Sequence, residues 1–207
     1  MNQSRSAVAR APRKAVPAAD AQEQILDAVD DLFYREGARA VGVDAVVRRA
    51  GVNKMSLYRR FESKDALLLQ YLERRDARFW EYFEASVAQH PGEPRAQLLQ
   101  WFVDLAERTG KADYRGCPFV NVAAEFPDPA HAARCRVADN KRELLRRLYG
   151  LAQAAGAAEP ELLASALALL TEGAYAASQT YGPGNPLLAT LPDVARTLID
   201  AACPVRK

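Results

Sequence analysis

A chain of 207 residues, 49% of them hydrophobic, can form one domain or two small ones around a real core, and it holds no run of eighteen apolar residues that would cross a membrane as a helix. No apolar segment follows the N-terminal arginines, so no secretory signal is expected and a cytoplasmic location is. The net charge is only +2, but residues 1–64 carry twelve Lys/Arg against eight Asp/Glu, which leaves the other 143 residues net acidic. Such asymmetry suits either a nucleic-acid-facing end or a solvated basic tail.

Residues 1–19 are Ala, Ser, Pro and Arg with few large apolar groups, and are expected to form a disordered basic arm. From Asp20, Ile25, Val29, Leu32 and Phe33 recur on one helical face, and Gly37 reads as the stop. A short helix is expected from Val43–Asp44 with Asp44 as its N-cap, with Val46, Val47 and Ala50 on its buried side and Gly51 at its end. A second short helix should run from about Asn53 to Phe61, anchored by Leu57, Tyr58 and Phe61. Ser63 then caps a long helix from about Lys64 to Gln89, stopped by Pro91-Gly92.

The second half reads as helices over Arg95–Thr109, Pro118–Phe126, Ala130–Ala155 and 160–181, with a last one near 190–202 after the Gly182–Pro186 turn. No alternating β-branched segment appears, so the fold class expected is all-α with about nine helices. The 160–181 helix is apolar almost all round and rich in Ala, which requires burial on more than one face. A partner subunit is one second surface; the middle of a monomeric bundle is the other.

The informative unit is residues 20–72. A supporting helix precedes two very short ones joined at Ala50-Gly51-Val52, the layout of a helix-turn-helix whose second helix is free to enter a major groove. That second helix offers Lys54, Ser56, Tyr58, Arg59 and Arg60 outward: cations for phosphates or guanine edges, hydroxyls for phosphate oxygens. Arg48 and Arg49 read as solvated or peripheral.

The run from Val43 to Leu67 resembles the DNA-binding domain of TetR-type regulators, with an Ala-Gly-Val turn, a Leu57-Tyr58-x-x-Phe61 recognition helix and a Ser63-Lys64-x-x-Leu67 start to the fourth helix. The specific match covers about a quarter of the chain. The resemblance implies backbone contacts for Tyr58, Ser56 and Lys64, and places Lys54, Met55 and Arg59 nearer the bases. Val43, opening the first short helix, and Arg60 complete the expected DNA-facing set. Met55 stands where many members carry a small residue. The implied organisation is a helix-turn-helix domain over 20–66 and a helical ligand-binding and dimerisation domain over 67–207. The implied function is a repressor that binds a pseudo-palindromic operator as a homodimer, paired through the helices near 160–181 and 190–202, and that is released by a small-molecule effector or a reactive electrophile.

For the effector pocket, the candidates are Phe83, Trp101, Leu105, Cys117, Phe119, Asn121, Glu125 and Tyr175, although aromatic residues at helical spacing equally suit a core. Arg115-Gly116-Cys117-Pro118-Phe119-Val120-Asn121 resembles a Gly-Cys-x-x-x-Asn segment of one group of TetR-type proteins, at the entry to the sixth helix. Pro118 fits a first helical turn, which would set Cys117 at a helix start, as a sensor of electrophiles or as a small buried residue. Cys117, Cys135 and Cys203 make neither a disulfide framework nor a metal pattern. With His90 and His131 the only histidines, and no P-loop, GxGxxG, GxSxG or HExxH, no catalytic site, metal or cofactor is expected. Glu125, Asp128 and His131 invite a metal reading that Pro127 and Pro129 argue against. The alternative function is a helical adaptor or small-molecule-binding protein without sequence-specific DNA binding.

Overall fold

The computed structural model describes residues 18–182 and 184–204, in ten helices with no strand among them. The arm expected over 1–19 lies outside the described residues, except that Ala18 and Ala19 already belong to the first helix, α1, Ala18–Glu36. On α1, Ile25, Val29 and Phe33 are buried as their spacing predicts, against α2 (Val43–Ala50) and α4 (Lys64–Val87).

Three local expectations are corrected at α2 and α3. The N-cap of α2 is Gly42, in extended conformation and with no side-chain cap bond. Asp44 instead lies inside the first turn and pairs with Lys54 at 2.9 Å, so its carboxylate bridges to the next helix rather than closing its own. Gly51 ends α2 at φ 68°, the left-handed conformation that costs glycine little, with its N–H on the Arg48 carbonyl and the Val52 N–H on that of Val47. α3 spans only Lys54–Tyr58, five residues rather than nine, capped by Asn53, whose Oδ1 accepts the Ser56 N–H at 2.8 Å. At its end the Arg60 and Phe61 N–H groups share the Leu57 carbonyl, and Phe61 turns inward to the core. Leu57 and Phe61 are the anchors; Tyr58 is not one, being 49% exposed.

Ser63 caps α4 as expected, its Oγ accepting from the Ala66 N–H at 3.0 Å. α4 runs unbroken for 24 residues, about 36 Å at the usual helical rise, and the expected division at 66/67 falls within it. Its first half packs Leu68, Tyr71 and Leu72 into the core beside α1, while its second half sends Phe83 and Ser86 toward α5 (Pro94–Thr109) and α7 (Ala132–Ala154). α5 is central. Its Leu98, Trp101, Phe102 and Leu105 are fully buried, it packs on α4, α7, α8 (Pro160–Thr180) and α10 (Leu191–Ala202), and Trp101 donates to the Thr171 hydroxyl at 3.4 Å. α6 (Pro118–Glu125) lies against α7 and α4. The helix beyond the expected count is the single turn α9 (Pro186–Ala189), in the segment read as a turn.

α8 buries Leu163, Leu167 and Tyr175, yet its opposite side exposes Leu162 by 62% and Leu169 by 73%, in line with Gly173 and Ala176. Val194, Leu198 and Ala201 make a similar, partly exposed stripe on the adjoining α10.

α4 and α7 are also stapled by Arg147. Its guanidinium lies 4.2 Å from the Trp80 ring centroid and pairs with Glu84 of α4 and Glu143 of its own helix. Hydrogen bonds from Arg146 and then Arg147 hold the Glu143 carboxyl down to about 2 from its ordinary 4.5. The folded pKa is depressed, so the stabilisation is present above pH 4.5 and is lost as pH falls through about 2. Replacing Arg147 by Ala should cost about 1 kcal/mol, or about 2–4 °C in Tm, from the lost ring contact and ion pairs. Thermal melts should show the gap between wild type and Glu143→Gln narrowing across that same acid window; a gap independent of pH would contradict the assignment.

Candidate DNA interface and effector cavity

The turn at Gly51 holds α2 and α3 together through Leu57, which is fully buried, with Val46, Val47 and Val52 packed around it. Locking Leu57 inward sends the other side chains of α3 outward. Met55 is 65% exposed, Lys54 and Arg59 are exposed, and Ser56 and Arg60 are half-buried. The Arg59 guanidinium rests on the Met55 sulfur at 3.5 Å and Arg60 donates to the Ser56 carbonyl at 2.8 Å. Lys54 is held by Asp44 in a fully exposed pair that water and phosphate can readily replace. Val43 is half-buried at the start of α2, where the Gly42 carbonyl accepts from the Ala45 and Val46 N–H groups at 3.0 and 3.3 Å. Lys64, at the start of α4, donates to the Arg39 carbonyl at 2.9 Å, and burial lowers its pKa. Of the eight residues expected to face DNA, Lys54, Met55, Ser56, Tyr58, Arg59 and Arg60 thus cluster on or just beyond α3, with Val43 and Lys64 at neighbouring helix starts. Arg49 is engaged with Asp31 on α1 at 2.9 Å.

A cavity of about 260 Å³ opens between α1, α4, α5 and the start of α6. Cys117, Phe119 and Tyr175 line it, joined by Tyr34 from α1, by Arg75, Arg78, Phe79 and Tyr82 from α4, and by Arg108 and Tyr114 at the end of α5 and beyond. The remaining pocket candidates lie elsewhere. Phe83, Trp101 and Leu105 are core: Phe83 and Trp101 pack on each other at 5.2 Å, and Leu105 is sealed on all sides. Asn121 is turned to the Arg115 carbonyl and to Gln179. Glu125 is bound to Arg39 in the loop between α1 and α2. Phe79 connects core and cavity, with ring contacts to Trp80, Trp101 and Phe119 at 4.8, 5.7 and 6.3 Å.

The polar part of this wall escaped the sequence reading, because Arg75, Arg78 and Tyr82 look like a solvated helix face. The available signal was their register: Arg75, Arg78, Phe79 and Tyr82 are spaced i, i+3, i+4 and i+7 and so share one stripe of α4. Arg75 is tied to Asp30 of α1 at 2.8 Å, the two side chains being 14% and 16% exposed, and its guanidinium lies 4.5 Å from the Tyr34 ring.

Short α6 is hydrogen-bonded to the helix-turn-helix side at both ends. Before its start, the Tyr34 hydroxyl donates to the Gly116 carbonyl at 3.1 Å and accepts from the Arg115 N–H at 2.8 Å. Burial pushes the Tyr34 pKa up, against the opposing effects of the Arg115 N–H and the Arg75 charge, so the hydroxyl stays protonated. Gly116 sits at φ 79°, and a Cβ there would strike the Gln179 amide at 2.2 Å. At the far end, the Glu125 carboxylate accepts from the Arg39 N–H at 2.6 Å and its carbonyl accepts from the Arg39 guanidinium at 3.0 Å. Cys117 is the N-cap of α6 as its position before Pro118 implies; it is buried, with the Lys141 ammonium 3.6 Å from its sulfur. His131 and Asp128, the other members of the discounted metal set, cap the Ala133 and Ala130 N–H groups.

Comparison with known proteins fits this geometry. Residues 25–71 match the family model described as bacterial regulatory proteins of the tetR family, and residues 91–191 match that of the tetracyclin repressor-like C-terminal domain. The transcriptional regulator AcuR of Cereibacter sphaeroides is 30% identical over 173 residues, covering 79% of this chain and 78% of AcuR. A TetR-family transcriptional regulator from Streptomyces coelicolor superposes with a TM-score of 0.85 at 26% identity, over 89% of this chain and 97% of that one. A putative TetR transcriptional regulator from Streptomyces avermitilis is 35% identical at a TM-score of 0.69, over 84% and 97%. The chain belongs to the TetR family of transcriptional regulators, and α2, the Gly51 turn and α3 are its DNA-binding helix-turn-helix.

Proposed function

We propose that this protein is a repressor that binds a pseudo-palindromic operator as a homodimer and leaves it when a small molecule enters the cavity behind α6. The observation that carries the reading is Tyr34: one side chain of α1 lines the cavity and is hydrogen-bonded to the segment leading into α6, while α1 itself supports α2 and α3. An occupant that shifts residues 115–117 therefore has a direct mechanical connection to the DNA-facing helices. Coupling also requires the occupant to bind the two arrangements with different affinity.

In this reading Tyr58, Ser56 and Lys64 fix the register on phosphates, Lys54, Met55 and Arg59 face base edges, and Arg60 and the α2 start at Val43 flank them. The helix-turn-helix unit is α1 to α3 with the start of α4, and the rest forms the effector and pairing domain. The exposed apolar stripes of α8 and α10 support a two-fold pairing that sets two α3 helices about 34–36 Å apart, one turn of DNA. The regulator names of the relatives favour this over an enzyme or a protein-only adaptor.

Selection of bound fragments from a genomic library should enrich a pseudo-palindrome, with affinity falling steeply with salt. Tyr58→Ala and Arg59→Ala should each weaken that site about tenfold without changing helix content, and Arg59→Ala should lower the salt slope by about one phosphate contact. No enrichment by a folded dimer would reject the operator reading. Leu169→Glu should convert dimer to monomer in sedimentation with the helical spectrum retained; an unchanged mass would move the pairing surface elsewhere. Tyr34→Phe keeps the ring beneath Arg75 and removes both hydrogen bonds, so hydrogen exchange at the Arg115 amide should rise about tenfold while α3 amides are unaffected.

A further inference from the structure

The wall of the cavity is cationic. Arg75, Arg78, Arg108 and Lys111 line it against a single carboxylate, Asp113. The four cations are not equally committed. Arg75 is closely paired with Asp30 at 2.8 Å, and Lys111 reaches Glu107 at 3.5 Å with both groups largely exposed. Arg78 reaches the same Asp30 only at 3.4 Å and is 45% exposed. Arg108 has no carboxylate partner among the described residues: its guanidinium lies 4.8 Å from the Trp101 ring and 4.9 Å from the Tyr82 ring. Ring contacts of that kind fix the guanidinium while leaving its in-plane N–H donors unspent.

Two hydroxyls add to this. Tyr114 and Tyr175 line the same cavity, and neither hydroxyl has a hydrogen-bond partner among the described residues. Burial raises the pKa of both, so each remains a donor at neutral pH. Unused donors around a half-open cavity call for an acceptor, and a charged one makes the stronger hydrogen bonds. Phe79, Pro118 and Phe119 give the wall an apolar part. The volume, about 260 Å³, equals that of about nine liquid-water molecules and suits a compact organic molecule.

We propose that the effector is a small carboxylate with an apolar body, its carboxylate held by Arg108 and its body against Phe79 and Phe119. This rests on the effector-release reading above and names the chemical class. It also supplies the differential affinity that release requires. A carboxylate in the cavity competes with Asp30 for Arg78, which loosens the attachment of α1 to α4, so the ligand favours the arrangement in which α1 is less firmly held.

The test uses the full chain and matched pairs of probes: benzoate, phenylacetate and hexanoate against benzamide, phenylacetamide and hexanamide. Binding is read by calorimetry and by the rise in Tm with ligand concentration. At least one carboxylate should bind with its amide at least about tenfold weaker, and Arg108→Gln should weaken that carboxylate about ten- to a hundredfold while Arg108→Lys retains part of the affinity. Apo melting curves of both variants check that each folds. Amides binding as well as their acids, no carboxylate binding up to about 10 mM, or an unaffected Arg108→Gln would each overturn the proposal. Operator binding is measured separately. A carboxylate that binds through Arg108 and weakens operator affinity supports both readings; one that binds through Arg108 and leaves operator affinity unchanged supports the anion site and overturns the release reading.

Discussion

Asp30 and Arg75 meet where α1 crosses α4, and both are largely withdrawn from water. Charges in that position are costly unless paired, because desolvation of each ion has to be offset by the other and by further hydrogen bonds. Here Arg75 also donates to the Asp30 carbonyl at 3.0 Å, and its guanidinium lies between the rings of Tyr34 and Tyr71, at 4.5 and 5.3 Å. The guanidinium is thus held by the Asp30 carbonyl and two rings, while Arg75 Nε and Asp30 Oδ1 face each other at 2.8 Å as an ion pair without hydrogen-bond alignment. Asp30 is the more sensitive member, since a second cation, Arg78, contacts it more distantly from the cavity wall. Beside the apolar core and the Arg74 pairs with Glu23 and Asp27, the contact of α1 with α4 therefore includes a carboxylate whose counter-charges line the cavity.

That placement limits what any switch can use. Moving a two-state equilibrium from about 1:99 to 99:1 takes about 5.5 kcal/mol of differential binding, whereas one hydrogen bond contributes about 1 kcal/mol net. The Tyr34 hydrogen bonds alone would not suffice. The Tyr34 contacts, the Glu125–Arg39 clamp and the Arg78–Asp30 contact taken together, and repeated in a second subunit of the proposed dimer, reach that range. Short α6 is suited to carry the change because it is tied at both ends: a displacement at Gly116 cannot be absorbed by fraying at Glu125 without also losing the bonds to Arg39.

The features that could be read from sequence are those that depend on neighbours a few residues away. Gly51 in its turn, Asn53 at the start of α3, Ser63 capping α4 and Pro118 opening α6 each solve a local backbone problem, and the residue type states the solution. Apolar periodicity likewise located α1, α4, α5, α7 and α8. What sequence did not disclose depends on contacts between distant segments. Asp44 has the right chemistry for an N-cap, but Lys54, ten positions on, draws it away. Phe83, Trp101 and Leu105 have the composition of a ligand wall, but α5, which carries the last two, lies at the centre of the bundle, and Phe83 of α4 packs on Trp101 there. Arg75, Arg78 and Arg108 have the composition of a solvated surface, and only the packing of α1 and the 110–117 segment makes them the wall of a cavity. Cys117 and Phe119 reach the cavity because α6 starts at its edge, which Pro118 did signal.

The length of α3 links the two ends of the molecule. Five residues rise about 7.5 Å, roughly two base-pair steps, so one recognition helix can examine few bases. With each mismatched base pair costing about 1–3 kcal/mol, a single subunit could separate its site from the bulk of a genome only poorly. Two subunits on a fixed two-fold axis double the number of positions read and add a spacing requirement. A helix of this length is therefore adequate only in a protein that pairs rigidly, and rigid pairing needs a surface with little side-chain freedom to lose. The exposed side of α8 has that character: Leu162 and Leu169 project beside Gly173 and Ala176, small residues that let a second helix approach closely. Exposed leucines that would be a solubility liability in a monomer are, on this account, what makes so short a recognition helix sufficient.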